Sequence, residues 1–104
     1  MSHIHVIAVI TAKPGQRGAL LKSFQANVPA VLAEDGCLGY EATIDTENAG
    51  PAQAPFGPDT FVVVERWASM AHLAAHAVAP HMKAYAAATR DMVADRRIHI
   101  LSPA

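Results

Sequence analysis

Residues 3–12, HIHVIAVITA, set the strictest condition on how this chain can fold. The segment is rich in β-branched residues and stops at the turn signal Lys13-Pro14-Gly15, so it reads as a strand. Ile4, Val6, Ala8 and Ile10 point to one side of that strand, and His5, Ile7, Val9 and Thr11 to the other. Both sides are apolar in the middle. An antiparallel sheet with one wet face alternates cleanly between apolar and polar residues. This strand does not, so both of its faces need cover: a layer of the same chain on one, and a partner's sheet or a ligand on the other.

The remaining segments say what kind of layer is available. Residues 16–34 predict a helix whose stripe is Leu20, Leu21, Phe24, Val28, Val31 and Leu32, recurring at three- and four-residue steps. Pro29 lies in that stripe and predicts a kink or short break over 25–29. Glu34-Asp35-Gly36 ends the helix, with Gly36 suited to a left-handed cap. Residues 37–46 alternate, with Leu38, Tyr40, Ala42 and Ile44 forming the apolar side. Residues 47–59, ENAGPAQAPFGPD, predict a loop too long for a simple hairpin. A solvated insertion is favoured over a lid there, because Phe56 alone could anchor a lid. Residues 60–68 form the third strand, with Phe61, Val63, Glu65 and Trp67 sharing one face. Ser69 is an N-cap for the following helix, and Pro80 starts a second helical segment over 80–93 with Met82, Tyr85, Ala86, Thr89, Met92 and Val93 on one side. Residues 96–101 are the last strand.

Strand, helix, strand, strand, helix, strand is the split order of a ferredoxin-like α+β domain, a four-stranded antiparallel sheet with its helices on one face. At 104 residues the chain makes one domain, 1–104, with 47–59 as an extended loop. The second apolar face then asks for a second copy across a two-fold axis, a homodimer.

Composition removes several function classes. The net charge is −1 and the basic residues are scattered apart from Arg96-Arg97, which argues against a phosphate-tracking nucleic-acid surface. The single cysteine, Cys37, excludes an intrachain disulfide and any multi-cysteine metal site, and reads as a small buried strand residue. No segment approaches the roughly 18 apolar residues of a membrane span. The run 4–10 lacks the Lys or Arg that precedes a secretory core, so the expected location is the cytoplasm.

Candidate chemistry concentrates in residues 60–83, which hold the only Trp and three of the six His. Glu65 falls between Val63 and Trp67 on the helix-facing side, where an ionised carboxylate is costly unless paired. Two roles stand side by side: it caps a backbone group or pairs with a helix His or Arg, or it orients or deprotonates a substrate. Trp67 is equally open, as core or as the wall of a flat aromatic ligand. His72 and His76 share a helix face, but HLAAH lacks the Glu that follows the first His in metalloproteases, and no metal is expected. His72 is expected at the surface, and His76 and His81 as hydrogen-bonding groups around the Ala79-Pro80 break, where a neutral His can shuttle a proton. With no phosphate-cradling loop, nucleophile elbow or cysteine site, the chemistry expected is acid–base or oxygen chemistry in an apolar cavity.

Four signatures, ITAKPGQ, AEDGCLGYE, VVVERWASMAHLAAH and PHMKAY, run in order over nearly the whole chain. Together they resemble the antibiotic biosynthesis monooxygenase (ABM) domain family of the dimeric α+β barrel superfamily. The resemblance implies a homodimer whose sheets face each other and a pocket in each subunit between sheet and helices. It also implies a cofactor-independent monooxygenase that oxidises a small quinol- or anthrone-like aromatic with O2, without flavin or metal. Trp67 would wall the ring beside Phe61 and Tyr85, while His76, His81, Glu65 and Tyr40 supply polar contacts. A haem-degrading branch of the superfamily uses an Asn on the first strand and an iron-binding His on the last helix; Ala8 and Ala86 stand there in this chain. The loop 47–59 and Pro29 depart from the common pattern. The alternative is a non-catalytic dimeric domain that binds a small hydrophobic molecule. Convergence of His76, His81 and Glu65 beside Trp67 favours the enzyme, and their pairing off at the surface favours the alternative.

Overall fold

In the computed structural model, which describes residues 3–104, β1 (Ile4–Ala12) lies inside a four-stranded sheet and pairs antiparallel with both neighbours. The sheet order is β2 (Cys37–Thr43), β3 (Thr60–Trp67), β1, β4 (Val93–Leu101), with every pairing antiparallel. One crossover is α1 (Arg17–Leu32); the other is α2 (Met70–Ala77) followed by α3 (Pro80–Thr89) and a single 3-10 turn. This is the ferredoxin-like βαββαβ arrangement.

Strand register lays out a grid on the helix-facing side. Tyr40, Glu65, Val6 and Ile100 form one row across the four strands; Ala42, Val63, Ala8 and Ile98 form the next. Along β1 burial alternates as the period of two requires, with Ile4, Val6, Ala8, Ile10 and Ala12 buried and the residues between them half-buried. Leu20, Phe24 and Val31 of α1 close over this grid. Phe24 is the centre of the core. It stacks on Tyr40 at 5.1 Å and meets Phe61 and Tyr85 edge-on at 5.6 and 6.3 Å.

Several local expectations change. Pro29 does not interrupt α1; it and Gln25, whose carbonyl it leaves without a helical donor, are both exposed. Leu32 falls outside the buried stripe and is 51% exposed. The second strand ends at Thr43 and carries a bulge between Cys37 and Gly39. The extra residue turns Leu38 outward, while Cys37 and Tyr40 oppose Trp67 and Glu65 on the inner side. The last strand starts at Val93, earlier than 96, because its pairing with β1 continues through an irregularity at Thr11 and Ala12.

Residues 44–59 are tied down at their far end. The Asp45 carboxylate accepts the backbone N–H groups of Phe56 and Gly57 at 3.0 and 2.9 Å, which holds its pKa below the usual carboxylate range. The Arg17 guanidinium donates to the carbonyls of Gly57 and Thr60 at 3.4 and 3.2 Å. Phe56 stays largely exposed. Among the described residues, no helix is long and apolar enough to cross a membrane.

Candidate active site

The site is assembled by the turn out of β3, the break between α2 and α3, and the end of α1. Ser69 caps α2 by accepting the backbone N–H of His72 at 3.2 Å. The His72 ring reaches back to Ser69 Oγ at 2.7 Å and to Asp35 at 3.3 Å. It lies directly over Gly36, where φ is +79° and a Cβ would stand 2.7 Å from that of His72. Glycine is therefore required there both for its backbone conformation and for room.

His76 lies in the last turn of α2, and Pro80 restarts the chain so that His81 follows at the head of α3. Both rings converge on one atom. Oε2 of Glu34 lies 2.8 Å from Nδ1 of His76 and 2.8 Å from Nε2 of His81. A lone pair facing a carboxylate at that distance would repel it, so each of those nitrogens carries the proton and donates. In the neutral form of either ring the lone pair is then on the other nitrogen, Nε2 of His76 and Nδ1 of His81. Glu34 was expected only to end a helix. Its backbone is fixed on both sides, its N–H donating to Val31 at 3.0 Å and its carbonyl accepting from Cys37 at 3.2 Å.

The second carboxylate is Glu65, buried beside Trp67 as strand parity requires. The indole Nε1–H donates to Glu65 Oε1 at 2.9 Å. Burial pushes the Glu65 pKa upward; the indole hydrogen bond and nearby His76 oppose this. The Trp67 ring centroid lies 4.6 Å from that of His76, and the Tyr40 ring meets His76 edge-on at 5.6 Å. Burial, with the neighbouring Glu65 charge, pushes the Tyr40 pKa far up, so Tyr40 remains a neutral phenol. Burial raises Tyr85 as well, against the charge of Arg96.

Of the residues expected at the site, His76, His81, Glu65, Trp67 and Tyr40 come together. Tyr85 lies across Phe24 from Tyr40, and Phe61 is fully buried further along β3, in contact with Phe24. Trp67 and His76 touch, so these walls pack on each other instead of facing a preformed void. Two shallow cavities are present, one of about 220 Å³ under the 44–59 loop and one of about 310 Å³ beside Leu38, Val64 and Arg66 that also touches Tyr40 and Glu65.

Among the described residues, no fully buried side-chain nitrogen or oxygen lacks a hydrogen-bond partner. Among the described residues, the second oxygen of Glu65, the Tyr40 hydroxyl and Nε2 of His76 have no hydrogen-bond partner, and these three residues are 7%, 8% and 6% exposed. The helices also stop short of β4: Arg96, Ile98 and Ile100 belong to the inner side of the sheet and are exposed. Arg96 acts through space on Glu65, Tyr40 and Tyr85. Neither it nor Glu34 could be singled out from sequence spacing.

A model of the family described as antibiotic biosynthesis monooxygenase matches residues 3–88. This chain belongs to that family. It is similar to the probable quinol monooxygenase YgiN of Escherichia coli, 46% identical over 100 residues that cover 94% of this chain and 95% of that one. Among solved structures it is similar to PA3566 from Pseudomonas aeruginosa, with a TM-score of 0.82 and 26% identity over 100% of this chain and 96% of the other. Rv0793 from Mycobacterium tuberculosis is similar too, with a TM-score of 0.80 and 26% identity over 99% and 96% of the two chains. The family and its ferredoxin-like fold are those that the four signatures pointed to.

Proposed function

We propose that this chain is a cofactor-independent monooxygenase that oxidises a small quinol- or anthrone-like aromatic with O2 between sheet and helices. One observation carries the reading: two carboxylate-centred groups, Trp67 with Glu65 and Glu34 with its two histidines, meet at the ring of His76 inside an apolar layer. Membership of the family and the quinol in the name of the Escherichia coli relative supply the reaction class.

The reaction needs a proton acceptor and a place for the anion it creates. Nε2 of His76, oriented through the Glu34 hydrogen bond, takes the phenolic or benzylic proton. The Tyr40 hydroxyl, kept neutral by burial, donates to the oxygen on which charge develops, and Glu65 holds the Trp67 indole beside it. His81, nearer solvent, donates its Nε2–H to the same carboxylate and helps hold Glu34 in place against His76. Trp67 and Phe61 back the site, and Tyr85 covers the ring where it enters over Ile98 and Ile100, excluding water.

The substrate supplies the electrons. Its anion passes one electron to O2, the two radicals join as a hydroperoxide at carbon, and loss of water leaves a carbonyl. An anthrone CH2 thus becomes C=O; one oxygen atom stays in the product and the other leaves with two hydrogens as water.

The enzyme acts as a homodimer joined through the outer sheet face, where Val64 and Leu38 are each 44% exposed beside half-buried Ile7 and Val9. Sedimentation at micromolar concentration is expected to give twice the 11.0 kDa chain mass, and a particle of one chain's mass overturns this. Oxygen uptake with a panel of hydroquinones and anthrones tests the activity. Turnover that falls sharply in His76→Ala and partly in Trp67→Phe supports it; no turnover across the panel by an intact wild-type dimer overturns it.

A further inference from the structure

We propose that Glu34, His76 and His81 form a site for one first-row divalent cation of the zinc type. Their donor atoms, Oε2, Nδ1 and Nε2, all lie within 4.8 Å of one another, with the carboxylate oxygen 2.8 Å from each nitrogen. Zinc held at about 2.0–2.2 Å by tetrahedral ligands separates its donors by about 3.4 Å, so the carboxylate and imidazoles must part by about half an ångström. Two imidazoles with one carboxylate suit zinc and its first-row neighbours, whereas magnesium and calcium prefer all-oxygen surroundings. Three protein ligands leave a fourth position open. His81 marks the solvent side, with its side chain 29% exposed against 8% for His76 and 13% for Glu34.

This cluster is built, and surface ion pairs are not. The three ligands come from three separate segments, and the Glu34 backbone is held on both sides by hydrogen bonds. The His76 ring is packed against Trp67 and Tyr40, which fixes the direction of its nitrogens. Glu34 and His76 stand at the C-terminal ends of α1 and α2, where the helix dipole favours positive charge; His81, at the start of α3, opposes this. By contrast the carboxylate that His72 meets is that of Asp35, whose side chain is 99% exposed.

Occupancy has a consequence that rests on the reaction proposed above. A cation on Nδ1 of His76 leaves the ring proton on Nε2, and the ring can no longer accept a proton there. The bound cation is then an inhibitor, and the cluster a regulatory site laid over the base.

Zinc titrated into the chelator-stripped full chain, in competition with a chromophoric chelator, is expected to bind at one ion per chain. Glu34→Gln and His81→Ala each weaken binding at least tenfold, and His72→Ala binds as wild type. Cobalt(II) in place of zinc gives the visible absorption of a four-coordinate site in wild type and not in the two ligand variants. Circular dichroism checks their folding, and His81→Ala, at the most exposed ligand, serves if Glu34→Gln unfolds. Absence of one-equivalent binding by wild type, or undiminished binding by folded His81→Ala, overturns the site. Zinc that binds without slowing oxygen uptake overturns the base role of His76 and leaves the site standing.

Discussion

Both faces of this sheet are made of aliphatic side chains, but only one is closed. On the inner face Ile4, Val6, Ala8 and Ile10 of β1 and Phe61 and Val63 of β3 are buried under the helices. On the outer face Val64 and Leu38 are exposed and Ile7 and Val9 only partly covered. Polarity runs against this division. Glu65 and His76 sit in the closed layer, where desolvation is most costly, each with a hydrogen-bond partner. Neither placement is the one that would best stabilise an isolated chain. A bare apolar face is what the proposed partner would cover, and the buried polar groups are what the proposed reaction would use.

The comparison breaks most visibly at Trp67. Trp67→Ala empties the inner layer and frees Glu65 from its donor, so it should cost about 3–5 kcal/mol, read from chemical denaturation. A loss below about 1 kcal/mol would mean that the inner layer is not the core described here. The outer face should respond in the opposite manner. Val64→Glu should leave the fold of each chain within about 0.5 kcal/mol yet abolish association, measured by sedimentation. A dimer that survives this change is held elsewhere.

How far all this was legible in the sequence depended on how local the cause was. The parity of β3 placed Glu65 and Trp67 correctly because that strand carries no bulge, and Ser69 and Pro80 announced their helices through short-range capping rules. The bulge in β2 was not anticipated, although Gly39 inside a strand is its usual signature. Glu34 was invisible as a site residue, since its partners are 42 and 47 residues away and meet it only when α1 packs beside the α2–α3 corner. The closed contact of Trp67 with His76 was equally out of reach, because periodicity gives the direction of a side chain and not the width of the space it enters.

Two smaller effects sharpen the same comparison. Since burial raises the Glu65 pKa, the folded chain binds more protons than the unfolded one between the ordinary glutamate value of 4.5 and the raised native value. Stability attributable to this group therefore falls as pH rises through that window and is level above it. Glu65→Gln keeps an acceptor for the indole and lacks the titration. From about pH 4 to about pH 8 the Tm of wild type should fall relative to that of the variant, and a gap independent of pH would show that Glu65 is solvated. The smallest effect belongs to the loop. Phe56→Ser should change stability by less than about 0.5 kcal/mol, because the loop is held by Asp45 and Arg17 and not by that ring.

The claim that the inner polar layer is a reaction site is tested most directly by product analysis under ¹⁸O2 with an anthrone. The account predicts one labelled oxygen atom in each product molecule and the other in water, at a rate that falls by about 10²–10⁴ in His76→Ala. Label recovered only as hydrogen peroxide, or a product formed equally fast by His76→Ala, would contradict it.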